Sequence, residues 1–588
     1  YDGNGNRLTV TDPAGNETLS EYDRAGNLLR EINALGGVTE YTYDEVGLPL
    51  TVTDATGATQ TMTYDLAGNL LTRTLANGAT LSVAYDSMNR PIRQVNALGG
   101  VTEIEYDLLG RITRVTDPLG AETTYAYDKN GNLLTVTDAL GGVISYAYDA
   151  LSRVIFETAP NGGVTRYAYD NTGNLLSIMD ALGGVTRYQY DENGNLVAMT
   201  DALGETVSLE YNPNGSATTA IKKNGGVLAT GYDKAGRVVS ETDANGHTTK
   251  YSYSRNGLVT KITDALGQQA SFAYDVLGNL VKITAPGKAI TLYEYDSAGR
   301  VLSMTDPEGC VTEYGYNENS QIARMTVNGN ATLYEYDAAG NIAAVTDAEG
   351  RRVEFAYDPN GNLTGIVYPD GTKDTTQYDA LGRVLKNTPR TGLATAYEYD
   401  VVGNIVSVTR GEQATRYAYD ILGRMVAVTA PDGTETAYTY DALGNLTGET
   451  DPLGNVTAFA YTAESLLEKV TYANGTTQSL TYDPAGNVTA ETDAEGNTKE
   501  YQYDKVNRLT AVIDELGNKT SYKYDALDNI AQVTDALKHI TRYTYDKNGN
   551  LLTETDALGN RVRYAYTPEG WLESITKADG TVLTFEYD

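Results

Sequence analysis

Cysteine occurs once in this 588-residue chain, at Cys310, and histidine twice, at His247 and His539. One thiol cannot close an internal bridge, which excludes a disulfide scaffold. With so few sulfur and imidazole ligands, no zinc, haem or iron–sulfur centre is expected. Tryptophan is also single (Trp571), and the 15 prolines are too few for a collagen-like or proline-rich fibre. Positive charge is scarce: 44 Lys and Arg stand against 78 Asp and Glu, a formal net charge of -34. Binding to nucleic acid needs clusters of Lys and Arg, so it is not expected. An anionic membrane surface is disfavoured for the same reason. No apolar run reaches about 18 residues, so no transmembrane helix and no membrane insertion are expected. No basic-then-apolar leader opens the chain.

What is abundant is tyrosine (47 residues) and glycine (60 residues), and both are periodic. A Tyr falls at every 21st residue from Tyr1 to Tyr316, then from Tyr336 to Tyr399, then from Tyr419 to Tyr587. These 29 tyrosines bound 28 units, 26 of 21 residues and two of 20. Such a period means one supersecondary unit stacked many times, so residues 1–588 are read as a single continuous array. The chain starts at Tyr1-Asp2 and stops at Tyr587-Asp588, equivalent points of the unit, and is expected to be a segment of a longer protein.

The unit from Tyr22 to Tyr43 divides into four pieces. Asp23 to Gly26 is a turn, Asn27 to Ile32 a strand, Asn33 to Gly36 a second turn, and Gly37 to Tyr43 a second strand. An Asp or Asn at the first turn position bonds a backbone N–H two residues on, and the Gly supplies a positive φ. Where the Asp after the register Tyr is missing, Asn212, Ser254, Asn317, Thr462 and Thr567 all keep a short side chain with a hydrogen-bonding oxygen. Glycine or asparagine every 10 or 11 residues leaves no room for a long helix. Val, Thr, Tyr, Leu and Ile suit strands. The two short units lose a residue from the second turn, at Asn328-Gly329 and Gly411-Glu412, with the strands expected to keep their length.

Sixteen units carry a second Tyr two residues before the register Tyr, and four carry Phe. Equivalent side chains of neighbouring units are expected to form two parallel aromatic rows in mutual contact. An aromatic stripe also suits sugar or base stacking. In a residue repeated through all 28 units, packing is the better reading. Aliphatic residues six places after the register Tyr (Leu28, Leu133) form another row. Those at nine places (Val52, Val136) are expected on the opposite face, by simple alternation.

Candidate chemistry is thin. His247 and His539 each lie at a second turn without a repeated partner, so no triad is read. Cys310 follows Gly309 in a turn slot. Asp128-Lys129-Asn130-Gly131-Asn132 partly matches a calcium loop, but its Gly comes early and the distal Glu is missing. Carboxylate pairs are too numerous to single out two for glycoside hydrolysis. No catalytic, cofactor-binding or metal residue is assigned, no cofactor is expected, and the segment is read as non-enzymatic.

The string Tyr-Asp-x-x-Gly-Asn/Arg-Leu, as in Tyr127 to Leu133 and Tyr378 to Val384, resembles the YD repeat. That repeat occurs in bacterial Rhs and wall-associated proteins, in the B and C components of insecticidal toxin complexes, and in teneurins. The resemblance covers the whole chain. It implies an all-β fold: two antiparallel strands per unit in a long β-ribbon spiralling into a hollow shell or tube. It also implies a secreted or cell-surface location, in a bacterium, and partners of two kinds, an enclosed toxin domain or a surface receptor or glycan, with self-assembly possible. The leading functional reading is the wall of a shell enclosing cargo; the alternative is an extracellular adhesion or filament-forming tube. An enzyme of polysaccharide metabolism is a distant third. Asp117-Pro118-Leu119-Gly120 and Asp451-Pro452-Leu453-Gly454 are similar to the DPxG element of the self-cleaving core in the toxin relatives. Both fall in the second-turn slot and are read as turns.

Overall fold

A computed structural model describes residues 1–587. It contains 56 β-strands, two per unit, and one three-residue 3₁₀ turn at Pro286–Lys288. All strands belong to one antiparallel sheet in which each pairs with its neighbours in sequence. The ladder runs from β1 (Thr9–Thr11) through β2 (Glu17–Tyr22), β3 (Leu28–Ile32), β4 (Val38–Tyr43) and β5 (Pro49–Thr53) to β56 (Val582–Thr584), and it does not close.

The expected turn chemistry is in place. In the turn after Tyr22, Asp23 Oδ1 accepts the N–H groups of Ala25 and Asn27 at 2.8 and 2.9 Å. Gly26 takes φ 91°. In the short units the four-residue turn becomes a two-residue one: Asn328 and Gly329 take φ 47° and 89° in the first, and Gly411 takes φ 64° in the second. Two positive φ values match the right-handed strand twist in a tight hairpin. The flanking strands do not keep their length there. They lengthen to Ile322–Val327 and Asn330–Tyr336, one residue more each than in an ordinary unit such as β3 and β4.

Simple alternation fails at one place in each unit. Tyr41 pairs with Val52, Thr42 with Thr51, and Tyr43 with Pro49, leaving Leu50 as an extra residue. This β-bulge recurs next to every register Tyr from Tyr22 to Tyr566. An extra residue restores the parity that counting would reverse. The residues at six and nine places therefore share one face with both tyrosines, and the expectation that Val52 and Val136 face away is corrected. The seventh and eighth residues share the other face. Thr447 and Thr51, at those places, meet the hydroxyls of Thr439 and Thr42, each one residue before a register Tyr, at 3.2 and 2.7 Å. One face is thus aromatic and aliphatic. The other carries threonine, charge and a row of half-exposed leucines such as Leu29 and Leu134.

The tyrosine rows exist, but their rings do not stack. Among the described residues the ring pair in contact is Trp571–Tyr587, centroids 5.3 Å apart. Equivalent strands of adjacent units have another strand between them, so their rings start about 9.6 Å apart.

The ribbon coils on itself. Asn33 Nδ2 donates to the Ser297 carbonyl, 264 residues on, and Ser297 Oγ donates to the Ala55 carbonyl, 242 residues back. These offsets straddle twelve units, so one winding takes about twelve and the 28 units make about two and a third. Twenty-four strands at roughly 4.8 Å give a path of about 115 Å, a ring about 37 Å across between backbones. Side chains on one face cannot fill that span. The accessible surface agrees: 32823 Å², against roughly 20,000 Å² for a compact monomer of this mass. Only Ala289, Ala344, Val470 and Ala511 are buried apolar residues among those described. The wall is one sheet thick, around a lumen.

Candidate functional site

A wall without a core must be held by something repeated, and the first turn supplies it. The register Tyr hydroxyl donates to the carbonyl 15 residues earlier: Tyr43 to Leu28, Tyr274 to Val259 and Tyr524 to Leu509, at 2.8, 2.8 and 2.6 Å. That carbonyl lies beyond the last ladder pair joining its strand to the next (Arg30–Glu40 in the first case), so no strand partner reaches it. The hydroxyl satisfies a group that the bulge would otherwise orphan. Burial pushes the phenols of Tyr43 and Tyr295 up, with the neighbouring Tyr41 and Tyr293 adding to it.

The residue five places after the Tyr completes the clamp, and sequence reasoning overlooked it. As Asn it returns to the turn carboxylate, Asn132 Nδ2 to Asp128 Oδ2 at 2.9 Å. As Arg it does more. Arg111 Nε donates to Asp107 Oδ2 at 2.7 Å, its Nη1 reaches the Asp128 carbonyl of the next unit at 2.9 Å, and its guanidinium lies 4.6 Å from the Tyr127 ring centroid. The same stack recurs at Arg90–Tyr106, Arg300–Tyr316, Arg383–Tyr399 and Arg508–Tyr524. The signal was visible: Arg or Asn alternates at one position whose neighbours hardly change. Even the non-glycine residues in the Gly slot serve this chain of contacts. Asn89, Ser320 and Ser465, at φ 60–61°, accept from Asn69, Arg300 and Asn445 of the preceding units.

The second element is the seam between windings. Each first turn of a later winding sits between two consecutive second turns of the earlier one. Asn96 Nδ2 donates to the Pro359 carbonyl at 2.9 Å, while Asn360 Nδ2 donates to Asp117 Oδ2 at 2.6 Å. Asn224 reaches the Pro484 carbonyl and Asn245 reaches Asp483 Oδ2 in the same way. Glycine makes the approach possible: a Cβ on Gly37 would stand 2.2 Å from the Ser297 carbonyl oxygen, and one on Gly100 2.9 Å from that of Pro359. Gly37, Gly100, Gly142, Gly163, Gly184 and Gly226 all stand 15 residues after a register Tyr, each as the second member of a Gly-Gly pair.

The residues weighed for chemistry lie within this scheme. His247 is half-buried at the seam, its Nδ1 3.3 Å from Asp243 Oδ2, beside an open cleft of about 460 Å³ lined also by Lys505 and Asn507 of the next winding. His539 lies far along the chain, exposed, its Nδ1 3.0 Å from Asp535 Oδ2. Burial and then Asp306 push the Cys310 thiol up, away from the reactive thiolate, and Sγ accepts a bond from Asn328 at 3.4 Å. The carboxylates of Asp117, Asp128 and Asp451 cap their own turns. No group of three potential metal ligands converges among the described residues. One ion pair is buried: Lys223 Nζ lies 2.5 Å from Asp201 Oδ2. Burial raises the Asp201 carboxyl, but Lys223 and the backbone N–H groups of Glu205 and Leu203 outweigh it and hold it below the usual range.

No curated protein matches this chain. Among solved structures, its fold is similar to "Crystal Structure of TcdB2-TccC3 without hypervariable C-terminal region", at a TM-score of 0.57 and 15% identity over 99% of this chain. It is similar also to "Crystal Structure of TcdB2-TccC3", at 0.57 and 16% over 99%. The chain spans about two fifths of those chains, 42% and 41%. The family model described as Teneurin YD-shell matches residues 313–495. The model described as RHS Repeat matches in fourteen spans, eleven within residues 1–312 and three within 482–582, among them 1–37, 106–143, 274–312, 482–519 and 545–582. With those spans covering more than half of the sequence in register with the Tyr-Asp unit, the chain belongs to the RHS-repeat family.

Proposed function

We propose that this array is the wall of a secreted or surface-exposed bacterial shell, part of a longer polypeptide, that encloses a cargo such as a toxin domain and performs no chemistry itself. The observation that carries the proposal is the unfilled ring: a sheet one strand-layer thick, with about 13,000 Å² more surface than a compact chain would have. Such a wall separates an inside from an outside, which a filled solenoid does not. The similarity to the TcdB2-TccC3 structures supports the shell architecture. Near-equivalence of the units supports the absence of catalysis, since any constellation in one unit is nearly reproduced in the next and none is held uniquely. The net charge of -34 keeps so large a surface dispersed.

The test uses the polypeptide that carries this array. Protease is added at pH 7 and, separately, after brief exposure to pH 2.5, which loosens the turns. If the array is a container, segments outside the repeats stay intact at pH 7 and are cut after acid. Equal cleavage under both conditions would refute enclosure.

A further inference from the structure

Asparagine dominates the seam, and most of that asparagine precedes glycine. Among the described residues, six side-chain amides donate across the seam to a carboxylate. They run from Asn245 to Asp483, Asn256 to Asp12, Asn328 to Glu569, Asn360 to Asp117, Asn507 to Asp243 and Asn548 to Asp306, at 2.6–3.4 Å. All but Asn507 are followed by Gly. The four-residue turn explains the pairing. Its third residue reaches the facing winding, and its fourth takes a positive φ, 83° at Gly246 and 87° at Gly361. A turn suited to the seam therefore also places an amide next to a backbone nitrogen with no Cβ beside it.

That arrangement is reactive. The Gly nitrogen, having lost its proton to water, attacks Cγ of the preceding Asn. An N–Cγ bond forms, the Cγ–Nδ2 bond breaks, and ammonia leaves with a proton taken from water. The product is a five-membered succinimide. Water opens it at either carbonyl, giving aspartate or isoaspartate, each with a new carboxyl. A Cβ on the following residue hinders ring closure, so Asn33, Asn96 and Asn507, seam donors followed by Ala or Arg, are slower to react. Two bonds restrain the reaction in the closed wall. The seam holds the amide, and the turn holds the Gly N–H, Gly361 to the Asp358 carbonyl at 2.9 Å and Gly257 to that of Ser254 at 3.1 Å. Both must open first, so conversion follows local opening of the seam. Asn256, Asn360 and Asn548 are exposed, so water reaches them.

We propose that these Asn-Gly pairs are self-modification sites, and that their conversion loosens the seam irreversibly. Each bond from an amide to a carboxylate becomes a contact of two carboxylates, and the donor is lost with it. Isoaspartate also routes the main chain through Cβ and lengthens the turn. The β-ladder along the chain uses backbone groups alone and stays intact. The wall thus ages by parting between windings and not by unfolding. The inference rests on the seam geometry and not on the cargo reading.

The experiment holds the polypeptide that carries this array at pH 8.5 for several weeks. Peptide mass spectrometry follows each asparagine, and enzymatic methylation detects isoaspartate. Asn245, Asn256, Asn360 and Asn548 are expected to lose the amide while Asn33, Asn96 and Asn507 keep it. Hydrogen exchange in the aged protein should quicken at the facing turns of Asp12, Asp117 and Asp306. Two variants separate charge from lost bonding: Asn256→Asp, Asn360→Asp and Asn548→Asp together, and the same three positions changed to Ala. Circular dichroism should match the parent in both. At low salt the facing turns are expected to exchange about fivefold faster in the Asp variant than in the Ala variant, and the gap should close at 0.5 M salt. Should the Asp variant not fold, the aged parent supplies the same readout. Asn-Gly amides that last as long as those of Asn33 and Asn96 overturn the proposal. So do Asp and Ala variants that exchange alike at low salt, or an aged wall whose facing turns exchange like the fresh one.

Discussion

The two turns of each unit look alike in sequence but tolerate change very differently. The first keeps Asp or a short hydrogen-bonding substitute in every unit. The second accepts Leu75, Ala159, Lys222, Tyr368 and Tyr472 in the leading place. Where that happens, the third residue takes over the bond: Asn77, Asn161, Asn224, Asp370 and Asn474 each accept the N–H two residues on. Second-turn aspartates such as Asp451 and Asp493 also cap with one oxygen and hold an Asn with the other. In the first turn the side chain so held goes on to the next unit, as Arg111 and Arg153 do to the Asp128 and Asp170 carbonyls. A residue with one local task is replaceable; a residue that also couples units is not. Both one-residue deletions fall in the second turn for the same reason.

The broadest challenge to this contrast is acid. Hydrogen bonds, from the Thr172 hydroxyl first, hold the Asp170 carboxyl down to about 2, and those of Asp23 and Asp86 are lowered likewise by Asn27 and Arg90. A depressed native value means stability that is present above the ordinary carboxylate pKa of about 4 and is lost as pH falls through the folded value. The β-signal in circular dichroism is therefore expected to hold to about pH 4 and collapse towards pH 2. The phenols work in the opposite direction. Tyr251, bonded to Glu241, is raised to about 12, so its contribution is complete below about pH 10 and disappears above 12. A wall unchanged at pH 2 would mean that the capping carboxylates do not hold it.

Tyr274→Ala comes next in size. It removes a half-buried ring and strands the Val259 carbonyl, for a local cost of about 2–4 kcal/mol. Hydrogen exchange should accelerate in that unit and its neighbours and nowhere else, since contacts are sequential. Tyr274→Phe, which keeps the ring, should lose about 1 kcal/mol of this. Equal exchange in parent and variant would show that the hydroxyl bond is idle.

Paired aspartate substitutions sharpen the comparison directly. Asp379→Ala, in a first turn, frees a half-buried Arg383 and two backbone N–H groups, at a cost of about 2 kcal/mol. Asp370→Ala, in the preceding second turn, loses the Thr372 contacts alone and should cost less by the same exchange readout. The reverse order would remove the distinction between the turns. The smallest effect concerns the Gly slot. Ser152 holds φ 60°, and Ser152→Gly should stabilise by up to about 1 kcal/mol. Asn89→Gly should gain nothing, because it gives up the bond from Asn69. Thermal melts of the two variants check this.

The unit, its two strands and its turn grammar were legible because they depend on local rules, Asp to N–H and glycine to positive φ, that show in one repeat. The bulge beside each register Tyr was not. Its extra residue, Leu50 or Leu134, is an ordinary aliphatic and carries no mark in the sequence. The error of assigning Val52 to the opposite face follows from that alone. The seam was hidden for another reason. It joins residues some 240 to 264 positions apart, such as Asn224 and Glu464, or Asn33 and Ser297, and no local pattern reports a contact at that range. Gly37 and Gly100 carried a trace of it, as the second member of a Gly-Gly pair that no turn requires.

The bore and the length of this wall are under separate control. Twelve units close a winding because adjoining turns must interlock, so the circumference is fixed by how one unit meets another. The number of units fixes only how far the coil rises. Duplicating a repeat in the gene therefore adds height and leaves the width untouched, and interior volume grows in proportion to the number of copies. A vessel built this way can be enlarged in steps of 21 codons, with the same two joints accepting every addition.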